Sequence, residues 1–204
     1  MQIQAYIRGL ADAARGLEVS RRGDLFVAQG QAPGTEGTRK GERWGTMATG
    51  AVAGLVIRPT TVAALEIYNN EAVKSLVIDR IFTQNLVSTN VIESFILYAM
   101  VTRPKAAPTD AALAINSLSG KAPAIRTVLT AASTTVVDNG WFPYGESFTK
   151  GAGGVVPHGG IVAEVGGRMI VPPTCALCLH VLASLVGQTF TSGAIWTLED
   201  LPLE

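Results

Sequence analysis

The sequence predicts an all-β chain. It reads as an antiparallel β-sandwich of jelly-roll-like character over residues 48–204, led by an N-terminal hairpin and extended Gly-rich arm over residues 1–47. Three observations carry that reading. Beyond Ala48 the chain falls into β-prone runs of roughly 6–12 residues separated by Gly, Pro and Asn, the rhythm of sandwiches and barrels. Inside those runs apolar and polar residues alternate, as in Leu65-Glu66-Ile67-Tyr68, which gives a strand one dry and one wet face. The amphipathic helices of roughly 10–15 residues that parallel βαβ units need are not evident, which disfavours a doubly wound α/β fold.

The elements follow in chain order. In LEVSRRGDLFVA two short apolar runs flank Arg21-Arg22-Gly23-Asp24, a hairpin closed by a tight turn. Gln29–Gly45 carries five Gly and one Pro with almost nothing to bury, which makes it a linker or arm open to proteases at Arg39, Lys40 and Arg43. Ten strands are expected, near Ala51–Arg58, Val62–Tyr68, Ser75–Phe82, Ile92–Thr102, Ile125–Thr130, Thr134–Val137, Ile161–Val165, Met169–Val171, Cys175–Val186 and Thr189–Leu198. The best-defined hairpin is AALEIY-NNEA-VKSLVIDRIF, with Leu65, Ile67, Leu76 and Ile78 as dry positions around an Asn69-Asn70 turn. Helix is confined to a turn or two in LADAARGL and in Thr109–Leu118, where Thr109 or Asp110 offers a cap.

Composition narrows the function classes. At 48% hydrophobic and 16% charged residues the chain can build one sizeable core, and its net charge of zero leaves no basic excess for binding nucleic acid as a whole molecule. Charge is uneven: residues 1–58 hold eight of the sixteen Lys and Arg against five acids, and beyond Asn139 only Lys150 and Arg168 stand against five acids. The N-terminal stretch MQIQAYIRGLADAARG lacks the apolar core of a secretory signal, and no uninterrupted apolar run reaches about 18 residues, so synthesis in the cytoplasm and no membrane partner are expected.

The motifs that suggest chemistry are weak. Cys175 and Cys178 have metal spacing without a second pair, and on a strand residues three apart point to opposite faces, so both read as core. His158 and His180 would need a carboxylate such as Glu164 to make a metal site of the cupin kind. Lys150-Gly151-Ala152-Gly153-Gly154 matches no phosphate loop, no G-x-S-x-G occurs, and Arg22-Gly23-Asp24 is ordinary hairpin chemistry. No catalytic residue, metal or cofactor is therefore assigned, and the chain is not read as an enzyme. Two clusters remain as contact candidates: Arg39, Lys40, Arg43 and Trp44 in the arm, and the aromatics Trp141, Phe142 and Tyr144 in a turn-rich loop, either a latch over the core or a surface contact.

In its hairpin LEVSRRGDLFVA, its loose Gly-rich arm and its segment ALEIYNNEAVKSLVIDRIF the chain resembles small virion proteins of tailed bacteriophages. The resemblance implies a capsid decoration (cement) protein, commonly a homotrimer with a jelly-roll-like body, seated on the shell between capsomers and holding neighbours with its arm. Its partners would then be the major capsid protein or other virion subunits, its location the virion, and Arg39, Lys40, Arg43 and Trp44 the partner-facing contacts. Two other readings compete. A carbohydrate- or receptor-binding sandwich of a phage tail or adhesin would expose Trp141, Phe142 and Tyr144 as a stacking platform. A jelly-roll enzyme would bring His158, His180 and Glu164 together.

Overall fold

The structure is a computed structural model that describes residues 18–19, 25–26, 35–48, 50–88, 92–103, 114–118, 127–130, 134–150 and 159–201. The chain divides into two compact units, Met1–Thr35 and Glu36–Glu204. In the first, β1 (Glu18–Val19) pairs antiparallel with β2 (Leu25–Phe26), Glu18 opposite Phe26 and Val19 opposite Leu25, as expected for LEVSRRGDLFVA. The expected helix in LADAARGL lies outside the described residues.

The second unit is a β-sandwich. One sheet has five strands in the order β10 (Thr127–Thr130), β6 (Leu65–Asn69), β14 (Ala176–Ala183), β8 (Ile92–Thr102) and β12 (Phe142–Lys150). The other runs β13 (Gly160–Val171), β7 (Ser75–Val87), β15 (Thr189–Glu199), β3 (Arg43–Met47) and β9 (Ile115–Asn116), with β4 (Val52–Ala53) also paired to β15. All of these pairings are antiparallel. The core is built from alternate residues of both sheets: Leu65, Ile67, Phe95, Leu97, Leu177, Leu179 and Val181 from the first meet Leu76, Ile78, Ile81, Val171, Phe190 and Trp196 from the second. Each such side chain, fully buried, contributes about 1.5–3 kcal/mol by leaving water.

A close approach fixes the middle of the six-stranded sheet. A Cβ on Gly193 would fall 2.3 Å from the Thr46 carbonyl oxygen and 2.4 Å from the Phe82 ring, so only glycine lets β3 and that ring lie against β15 here.

Four expectations change, besides two local ones: Phe142–Lys150 is strand β12 where the sequence predicts a turn-rich loop carrying Phe142 and Tyr144, and of the expected strand Ala51–Arg58 only Val52–Ala53 is strand. The segment AALEIY-NNEA-VKSLVIDRIF is not a hairpin, because β6 and β7 belong to different sheets and the residues between them cross from one to the other. Asn69 holds that corner: its Nδ2 donates to the carbonyls of Val171 (2.8 Å) and Lys74 (3.0 Å), and its Oδ1 accepts from the Glu71 amide at 3.0 Å. Second, Ile161–Val165 and Met169–Val171 are one strand; the Gly166-Gly167 pair, both at positive φ, forms an irregularity between Glu164 and Met169 instead of ending it. Third, Ile115–Asn116 is the edge strand β9, where a helix was expected across Thr109–Leu118; residues 109–113 lie outside the described ones.

The fourth change is the arm. Residues 43–47 were expected in a free arm ending at residue 47, yet they form β3, laid between β15 and β9 in the sheet. Just before it, α1 (Thr35–Arg39) ends in a Gly cap: the Glu42 amide donates to the Gly37 carbonyl (2.8 Å) and the Gly41 amide to that of Thr38 (3.0 Å), with Gly41 at φ +71°. Glycines that read as linker are therefore helix and turn residues.

Candidate interaction surfaces

The basic cluster comes apart when folded. Arg39 closes α1 and Lys40 follows in the turn, and both side chains are exposed. Arg43 is turned to its own sheet, with Nε 3.5 Å from Asp79 Oδ2, an oxygen that also accepts from Thr197 Oγ1 at 3.1 Å. Trp44 stands opposite Trp196 on the neighbouring strand and packs on the core. Next to them Lys74 Nζ lies 2.6 Å from Glu42 Oε1, and the hydrogen bond to that carboxylate holds the Lys74 ammonium above its usual range. Of the four residues, Arg39 and Lys40 are exposed, while Arg43 and Trp44 help build the sheet.

The aromatic trio separates as well. Trp141 is buried, its Nε1 donating to the Thr60 carbonyl at 2.8 Å, and it joins Ala63, Tyr68, Met100, Val136 and Cys178 in a second apolar cluster. That cluster covers the outward face of the five-stranded sheet, with help from the small sheet of β5 (Val62–Ala63) and β11 (Thr134–Thr135). Tyr144 is half-buried against the main core, and burial pushes its phenol up from the usual range. Phe142 alone is exposed, at 64%. Trp141 is thus a latch, and the three rings form no common stacking face.

The metal-site candidates do not converge. His180 is buried on β14 of the five-stranded sheet, while Glu164 lies on β13 of the other and pairs with Arg80; His158 is outside the described residues. Burial drops the His180 imidazole to about 4 against its ordinary value near 6.5, and its Nδ1 accepts the Val181 amide at 2.8 Å, so the ring is neutral near pH 7. Among the described residues no group of three or more His, Cys, Asp or Glu is placed to hold a metal. Cys175 and Cys178 are buried thiols outside any disulfide and lie in the two different apolar clusters, facing opposite sides as strand spacing requires. A cavity of about 10 Å³ beside His180, Leu65 and Phe190 has room for about one water.

The surface that stands out was not singled out in the sequence. Leu55 bridges Leu182 in parallel, and the Ser184 amide donates to the Ser94 carbonyl, so the turns carrying Val56-Ile57 and Leu185-Val186 reach the same end of the sandwich. Val87, opposite Thr189, and Phe148, opposite Ser94, adjoin them. These side chains are 52%, 68%, 46%, 79%, 38% and 65% exposed, in the order named, which makes a gathering of open apolar groups. The signal available in the sequence was Gly54, inside the expected strand Ala51–Arg58, and Gly187, between the expected strands Cys175–Val186 and Thr189–Leu198. No protein family, curated protein or solved structure matches the chain. Among the described residues no helix is long and apolar enough to cross a membrane.

Proposed function

We propose that the chain is a structural virion protein that decorates and stabilises a phage capsid by binding between capsomers. The observation that supports this most is the apolar end of the sandwich: a surface suited to contact with protein, on a body stiffened by two packed sheets. The N-terminal unit with its hairpin suits the role of an arm. A jelly-roll-like path is supported by strands that alternate between sheets, β6 to β7 to β8 and then β12 through β15.

The test is co-sedimentation with tailed-phage capsid shells that lack a decoration protein. The full chain is expected to pellet with the shells, and a chain starting at Glu36, which keeps β3 and the whole sandwich, is expected to fold and remain in the supernatant. A full chain that stays in the supernatant with every shell overturns the role, and a truncated chain that pellets equally well makes the N-terminal unit a passive tail.

A further inference from the structure

Beyond one ring pair the interior of the sandwich turns polar. Phe95 and Phe190 meet across the two sheets with ring centroids 5.0 Å apart. Two residues before each of them, on the inward side by strand alternation, stand Glu93 on β8 and Gln188 at the entrance to β15, and opposite Phe190 on β7 stands Asn85. All three residues are buried, with at most 1% of their surface open. We infer that Asn85, Glu93 and Gln188 form a binding site for a hard divalent cation of calcium size.

Backbone contacts bring the three to one end of the molecule. The turn after β14 leads into Gln188, and within it the Ser184 amide donates to the carbonyl of Ser94, the neighbour of Glu93, at 3.0 Å. Asn85 can present its side chain in only one way. Its Nδ2 donates to the carbonyls of Val87 (3.1 Å) and Thr189 (3.4 Å), so a rotated amide would set oxygen against oxygen. Its Oδ1 is thereby turned away from those carbonyls, and it has no hydrogen-bond partner among the described residues. Gln188 carries the argument furthest: the residue is wholly out of water, yet neither its Oε1 nor its Nε2 has a partner among the described residues. Buried polar groups are nearly always satisfied, so two such amides from adjoining segments point to a ligand between them.

The chemistry of the group selects that ligand. Two amide oxygens and a carboxylate stand against one open amide donor, an excess of acceptors that a cation meets better than a water molecule with its two protons. Oxygen donors select hard cations over the softer metals that Cys and His take, and with amides as two of its three side chains the site falls outside any grouping of His, Cys, Asp and Glu alone. Calcium accepts neutral oxygens beside carboxylates in irregular arrangements, whereas magnesium demands a near-ideal octahedron that is harder to assemble from three separate segments. A single carboxylate sets the affinity at the weak end of calcium sites, a dissociation constant of about 0.1–1 mM. Bound there, the ion joins β7 and β15 of one sheet to β8 of the other.

The experiment is equilibrium dialysis of the full chain, first stripped with EDTA, against calcium chloride up to about 10 mM, well above the expected range, with magnesium chloride in parallel. The wild type is expected to bind one calcium per chain and to unfold at a higher temperature in its presence. Gln188→Met removes both polar atoms at similar volume; it should keep the wild-type far-UV spectrum and bind calcium at least tenfold more weakly. Gln188→Glu adds a second carboxylate; it should bind at least tenfold more tightly, and melt below the wild type in EDTA but not in calcium. A wild type that binds no calcium at the highest concentration, magnesium bound as tightly as calcium, or one affinity shared by all three proteins overturns the inference. So does a Gln188→Glu chain destabilised equally with and without calcium, the mark of a site that holds water. None of these outcomes depends on shell binding, which keeps its own test.

Discussion

The two sheets of the sandwich bury their residues differently. In the five-stranded sheet both faces of β6 and β14 are dry: every residue of β6 is buried, and in β14 only Leu182 falls short of full burial. In the six-stranded sheet the edge strand keeps one face wet: β13 alternates buried Ile161, Val165, Met169 and Val171 with exposed Val162, Glu164, Arg168 and Ile170, while central β15 is buried on both faces from Phe190 to Leu198 except at half-buried Ile195. The difference lies in what covers the outward side. Over the five-stranded sheet lie Val136 and Trp141, whereas over the other the outward groups include the pairs Arg80–Glu164 and Arg43–Asp79. A strand covered twice is free to be apolar at nearly every position, as in Ala176–Ala183 where only His180 is polar, and loses the alternation that would report its orientation.

The largest effect should come from uncovering the dry outer face. Trp141→Ala removes a buried ring and its hydrogen bond to the Thr60 carbonyl, and should cost about 3–5 kcal/mol in urea unfolding, as core Trp deletions do. Val162→Ala, at a 63% exposed position on the outward side of the other sheet, should stay within about 0.5 kcal/mol. If the two changes cost the same, the outer cluster contributes nothing to folding and the contrast between the sheets fails.

The same contrast explains what was legible in the sequence. Strand identity was readable where a β-branched run is long and bounded, as in Ile92–Thr102, but not in Ala51–Arg58, of which only Val52–Ala53 is strand, nor in Phe142–Lys150. Pairing was not readable. A turn of Asn and polar residues between two strands looks the same whether it closes a hairpin or crosses between sheets, and only Asn69 reaching the distant Val171 carbonyl distinguishes them. Glycine misled most: Gly41 caps a helix, Gly45 sits in β3, and the Gly166-Gly167 pair bends a strand, three roles that a linker composition conceals. Of the candidate contacts, the sequence located the exposed Arg39 and Lys40, but it could not foresee that Asp79 draws in Arg43 or that Trp141 turns inward, because both depend on partners far along the chain.

An intermediate effect separates the sheets by pH. His180 sits in the doubly buried sheet with its imidazole lowered to about 4, while in the unfolded chain it titrates near 6.5. Above pH 6.5 it is neutral in both states and adds no pH dependence. Between 6.5 and 4 the unfolded chain binds the extra proton, so stability falls as pH falls, by about 3 kcal/mol if the whole shift is realised. Urea unfolding of wild type and His180→Gln across this window should give a steeper loss for wild type, and the difference between the two curves isolates the imidazole from the carboxylates that titrate alongside. Parallel curves would show that the ring is hydrated in the folded state and that this face of the sheet is not dry.

The smallest effect belongs to the wet face. Arg80 and Glu164 pair across β7 and β13 with side chains 43% and 66% exposed, so water screens their attraction and two long side chains lose rotamer freedom in making it. Arg80→Ala should therefore cost at most about 1 kcal/mol, and a double-mutant cycle with Glu164→Ala should return a coupling below about 1 kcal/mol that shrinks further in 1 M salt. The measurement sharpens the comparison because the same pair would behave otherwise if this face were covered. A coupling above about 2 kcal/mol that resists salt is the mark of charges removed from water. It would mean that the outward side of the six-stranded sheet is buried against another molecule under the conditions of the measurement, and that both sheets are covered on both faces.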